Sequence, residues 1–124
     1  MRQIPILSVI FFFLTGMFLS SCADTRNNEM IIGHWSGVQW TVAGSSASRD
    51  ASRTFFSFDQ KGQYSFEYNG RMEKGSYSVE NDMLFTRPEG EQEMMVKILS
   101  LTKDSLVFGM NRGGDAETLV LLRR

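Results

Sequence analysis

The chain has 124 residues, with 13 basic and 14 acidic side chains, a formal net charge of −1 and 42% hydrophobic residues, which is enough apolar material for one folded domain and no more. Charges scattered singly and in near balance exclude the basic face of a nucleic-acid binder. The single cysteine excludes an intramolecular disulfide, so an exported domain has to be stable without that cross-link.

Met1-Arg2-Gln3 supplies a short positive start, and residues 4–19 (IPILSVIFFFLTGMFL) carry no charge. This is the pattern of a signal-peptide apolar region. A membrane-crossing helix needs about 20 apolar residues, and this run meets Ser20, Ser21 and Cys22 first. Leu19-Ser20-Ser21-Cys22 resembles the lipobox of bacterial lipoproteins. The resemblance implies removal of residues 1–21, a diacylglycerol on the Cys22 thiol and further acylation, with chains such as palmitate, of the new N-terminus. Each buried CH₂ contributes about 0.8 kcal/mol, so two or three chains form a lasting membrane anchor. The alternative for Cys22 is a free thiol, or half of an intermolecular disulfide, beyond an ordinary secretory cleavage site. Residues 24–30 (DTRNNEM) are polar and without period, so residues 22–30 are expected to be a flexible, disordered tether.

From Ile31 onward apolar residues recur at every second position, which predicts strands. The first covers residues 32–42. Residues 43–52 (AGSSASRDAS) are small and polar and predict a mobile loop. Strands follow at 54–58 and 63–68, the second placing Tyr64, Phe66 and Tyr68 on one face and Gln63, Ser65 and Glu67 on the other. Asn69-Gly70 suits a type I′ turn, because both residues tolerate positive φ, and its partner strand at 71–79 presents Gly75, Tyr77 and Val79 on one side. A strand at 83–86 is expected to end before Arg87-Pro88-Glu89-Gly90, since proline offers no ladder donor. Strands at 93–101, 105–110 and 117–123 complete a set of about eight. Connections this short require antiparallel neighbours, and no helical stripe is available between Ile31 and Arg124 to cover a flat sheet. The fold class predicted is all-β, an antiparallel up-and-down meander over residues 31–124 closing into a roughly eight-stranded barrel, with a β-sandwich as the alternative.

Gly33-His34-Trp35 resembles the Gly-x-Trp signature of lipocalins, in which the tryptophan plugs one barrel end and a late arginine packs over it; Arg123 and Arg124 close the last strand here. With the Asp59–Tyr64 turn, Gly75–Val79 and residues 98–108, the chain resembles the small lipocalin-like lipoproteins common in Bacteroidetes. That resemblance implies a barrel with a possible cavity and names no ligand or reaction. Lipocalins proper are longer and carry a helix after the barrel, whereas this chain ends on its final strand.

Trp35, Phe56, Phe58, Tyr64, Phe66, Tyr68 and Tyr77 are the residues expected to line the interior, with Arg123 at the barrel end. Packing alone accounts for much of this aromatic set. Three tyrosines on one sheet face also suit a polar-edged pocket, because a buried hydroxyl needs a partner. No metal site is expected, with one histidine and the cysteine committed to lipid, nor any cofactor or catalytic group. No nucleophile motif or phosphate loop occurs, and Glu89, Glu91 and Glu93 read as a solvated hairpin tip. The function expected is a non-enzymatic, lipid-anchored binding module holding a small apolar or amphipathic ligand at the cell envelope. The alternatives are an accessory or inhibitory lipoprotein docking onto an envelope protein through residues 43–52 or an exposed strand, and, more remotely, a hydrolase using His34. A monomer is expected. Ala23, not aspartate, follows the cysteine, which favours the outer membrane under enterobacterial sorting; the orientation, periplasmic or cell-surface, stays open.

Overall fold

The structure is a computed structural model that describes residues 22–43 and 48–124. The signal segment 1–21 and residues 44–47 of the expected mobile loop lie outside the described residues. A helix, α1 (Cys22–Met30), precedes nine strands: β1 (Gly33–Val42), β2 (Ser48–Arg49), β3 (Thr54–Phe58), β4 (Gln63–Tyr68), β5 (Arg71–Glu80), β6 (Met83–Pro88), β7 (Met94–Leu101), β8 (Ser105–Arg112) and β9 (Asp115–Arg123). From β3 to β9 each strand pairs antiparallel with the next, and β1 pairs with both β3 and β9. The eight long strands therefore close on themselves as an antiparallel meander barrel, and two-residue β2 is an appendage on the far end of β1, opposite Trp40 and Thr41. Closure gives each of those eight strands a partner on both sides.

Inward and outward positions alternate along the strands, and most inward ones are apolar: on β4 and β5 Tyr64 and Val79 are buried, and Ser76 and Ser78 are exposed. Asn69 (φ 52°) and Gly70 (φ 81°) make the tight turn their identities suggest. At two places the alternation shifts phase. Between Gly37 and Gln39 the β1–β9 register slips by a residue, leaving both Val38 and Gln39 exposed and returning Trp40 to the interior. A second irregularity between Ile98 and Ser100 does the same for Leu99 and Ser100, so that Leu101 turns inward. Bulges of this kind bend strands and increase twist, which helps a sheet to close.

Three expectations need correction. Residues 22–30 are helical and not a disordered tether. The segment has no apolar stripe, so its helix rests on tertiary bonds. Asn27 Nδ2 donates to the Asn81 carbonyl at 2.6 Å, Asn28 Nδ2 donates to the Val79 carbonyl at 3.2 Å, and Ile31, just past the helix, is wholly buried. Within residues 43–52, expected to be a mobile loop, Ser48 and Arg49 pair with β1. Strand β6 runs on through Arg87 to Pro88. Its pairing with β7 ends at Thr86, and beyond that point it pairs only with β5, where Pro88 faces Gly75. On that outer edge the missing proline donor breaks no ladder. Among the described residues no helix is long and apolar enough to cross a membrane.

Candidate functional site

The two ends of the barrel differ. At one, α1 and the turns β3–β4, β5–β6 and β7–β8 gather around Trp35, which is fully buried and donates from Nε1 to the Ile31 carbonyl at 2.9 Å. The Arg123 guanidinium lies 4.2 Å above the Trp35 ring and donates to three carbonyls: Met30 at 2.7 Å, Ile32 at 2.8 Å and Lys103 at 2.7 Å. Gly33 (φ 135°) sits beneath it, and a side chain there would occupy the space of the guanidinium. The glycine of Gly-x-Trp thus serves both the backbone conformation and the arginine. Ile31, Leu106 and Leu121, each 0% exposed, complete a solid plug, so this end is closed.

Toward the other end lies a cavity of about 380 Å³, within the range of small-molecule sites. Its aromatic walls are Trp40, Phe56, Phe66 and Phe108, its aliphatic ones Leu84, Val96 and Leu119. Met94 and Met95, 45% and 63% exposed, stand at the mouth with Asn111. Polar groups are few. Tyr64 donates its hydroxyl to Glu73 Oε2 at 2.9 Å, and Thr86 is buried beside it.

Of the residues singled out from the sequence, Phe56, Tyr64 and Phe66 line this cavity. Phe58 and Tyr77 pack edge to face at 5.0 Å nearer the closed end, and Tyr77 donates to the Asp59 carbonyl at 2.6 Å. Tyr68 meets Trp40 edge-on at 5.7 Å and borders an outer groove with Met72. Trp35 and Arg123 form the closed end and stand apart from the cavity. Cys22 is the first residue of α1. His34 is exposed, hydrogen-bonded through Nδ1 to Ser57 Oγ at 2.7 Å across β1 and β3. Among the described residues no group of three or more His, Cys, Asp or Glu converges.

Eleven of the fourteen lining residues were not singled out from the sequence, Trp40 and Glu73 among them. Trp40 is out of phase with Trp35 by period two, and only the bulge brings it inward. Glu73 was legible: it shares the parity of Gly75, Tyr77 and Val79, so an acid lay in phase with an inward face.

Burial pushes the Tyr64 phenol well above its ordinary value of 10.0, and Glu73 pushes it further by accepting its hydrogen bond and repelling the phenolate; Thr86 opposes this weakly. Tyr77 is raised as well, by burial first and then by the charge of Asp59. A raised folded-state value means the folded chain holds these protons more tightly than the unfolded one. Their contribution to stability is complete below pH 10.0 and is lost as pH rises through the folded values. Melting temperature is therefore expected to fall with pH above about 10, and Tyr64→Phe to flatten that fall; an unchanged slope in a pH series of thermal melts contradicts this.

A family model described as "Lipocalin-like domain" matches residues 31–108. No curated protein matches the chain. Among solved structures, a lipocalin-like protein from Bacteroides uniformis ATCC 8492 superposes with a TM-score of 0.59 at 17% identity, covering 77% of this chain and 99% of that one. An uncharacterized protein from Bacteroides eggerthii DSM 20697 does so with a TM-score of 0.62 at 14% identity, covering 76% and 99%. At these identities the likeness concerns the fold. The plugged, closed meander and a family match over residues 31–108, more than half of the sequence, place this chain in the lipocalin-like domain family.

Proposed function

We propose that the chain is a non-enzymatic binding module, anchored to the cell envelope by lipid on Cys22, which holds a small apolar or amphipathic molecule in its barrel. The observation that carries this reading is the cavity of about 380 Å³, walled by aromatic and aliphatic side chains in a barrel solid at the other end. A core under pressure only to be stable fills such space, because empty apolar volume forfeits dispersion contacts. The lipobox-like Leu19-Ser20-Ser21-Cys22 supports the anchor. Cys22 begins the helix that enters the barrel at its closed end, so the mouth at Met94 and Met95 opens at the end opposite the chain's entry and stays accessible when lipid holds the N-terminus.

The test is to grow cells with labelled palmitate, recover the protein from the membrane fraction and extract it with organic solvent. The expected result is label on the protein, absent in Cys22→Ala, and a stoichiometric small apolar molecule in the extract by mass spectrometry. Protein with neither label nor extractable molecule, and no saturable uptake of apolar probes, contradicts the proposal.

A further inference from the structure

The cavity walls narrow the chemistry of the occupant. Apart from Tyr64, Glu73 is the one ionisable side chain among the lining residues. It stands on the inward face of β5, opposite Phe66 on β4. Among the described residues its carboxylate receives one hydrogen bond, from Tyr64. No lysine or arginine of the described residues pairs with it. Arg71 and Lys74 line a neighbouring groove that Glu73 and Phe66 also border, but neither lines the cavity or pairs with Glu73, and Arg87 is engaged with Glu93 on the surface at 2.9 Å. Glu117, the other inward acid, has an interaction partner of its own.

A half-buried carboxylate with a single donor has most of its lone pairs unmet, and removal from water raises the gain from any cation that reaches it. The surrounding rings act in the same direction, since the faces of Trp40, Phe56 and Phe66 carry partial negative charge and attract cationic nitrogen. A ligand carboxylate in the cavity meets repulsion from Glu73 and no lysine or arginine among the described lining residues. We infer that the cavity selects an apolar molecule carrying one cationic nitrogen, with Glu73 receiving that nitrogen among the aromatic walls, and rejects carboxylate-bearing lipids. Tyr64 holds the Glu73 carboxylate in position, and Leu84 and Leu119 receive the apolar body. This inference rests on the cavity-binding reading above and adds to it a ligand class.

The experiment titrates the protein at neutral pH with three molecules of one chain length: n-octylamine, 1-octanol and octanoate. Binding is read by calorimetry and by the change in tryptophan fluorescence that Trp40 contributes. The amine is expected to bind about tenfold or more tighter than the alcohol, as a charged hydrogen bond implies, with octanoate weakest. Glu73→Gln, which keeps the side-chain shape, is expected to abolish the preference for the amine over the alcohol. Equal affinity for amine and alcohol, tightest binding of octanoate, or an amine preference that survives Glu73→Gln overturns the cationic assignment while the cavity reading stands. If none of the three binds, the cavity reading falls and the inference with it.

Discussion

Replacing Trp35 by alanine is expected to lower the unfolding free energy by about 3–5 kcal/mol, the range for a buried large aromatic truncated in a core. Trp35 is 0% exposed, its Nε1 satisfies the Ile31 carbonyl, and its ring supports the Arg123 guanidinium. The truncation removes apolar burial, strands a buried carbonyl and leaves the guanidinium without its platform. Arg123→Ala is expected to cost less, about 2–3 kcal/mol, because its three carbonyl partners regain water in part. Because the two side chains touch, the double variant is expected to lose less than the sum of the single losses. Urea denaturation of the four proteins measures this; strict additivity would show that the ring and the guanidinium do not support each other. Arg123→Ala is also expected to raise amide exchange in α1, since the guanidinium holds the carbonyl of Met30 at the helix end.

A second large loss is expected for Phe108→Ala, again about 3–5 kcal/mol, here with a functional counterpart. Phe108 is 1% exposed, meets Phe56 edge to face at 5.4 Å, and forms part of the cavity wall. Truncation enlarges an existing cavity and leaves its new lining without partners, which is the costly kind of core substitution. The added space is apolar, so a ligand that fills it stabilises the variant by mass action. Chemical denaturation with and without a series of alkylbenzenes is expected to show a larger ligand-induced gain, and preference for a bulkier ligand, in Phe108→Ala than in the parent. A loss under about 1 kcal/mol, or identical size preference in both proteins, would mean that the Phe108 wall collapses and does not bound the ligand space.

Particular residues show how far the fold was readable. The strands at 54–58 and 63–68 lie where alternation places them, because Phe56, Phe58, Tyr64, Phe66 and Tyr68 share one parity and the turns between them have strong local preferences. Glu73 was available on the same grounds, by counting back in twos from Val79. Trp40 was not. Its inward position depends on one extra residue at the Gly37–Gln39 bulge, and that irregularity is a property of how β1 meets β9, some 80 residues later. Helix α1 was out of reach for a similar reason. Nothing in DTRNNEM favours a buried face; the bonds that hold the segment come from the end of β5, from the β5–β6 turn and from Arg123.

Alternating side chains and short turns carry the all-β class, the antiparallel order and the inward faces, since each is a local consequence of the two-residue strand repeat and of turn residues that tolerate unusual φ. Closure, bulge phase, the docking of α1 and the emptiness beside Glu73 are different in kind. They depend on contacts between segments distant in the chain and on the volume left when all inward side chains are packed together, and no local pattern encodes that volume.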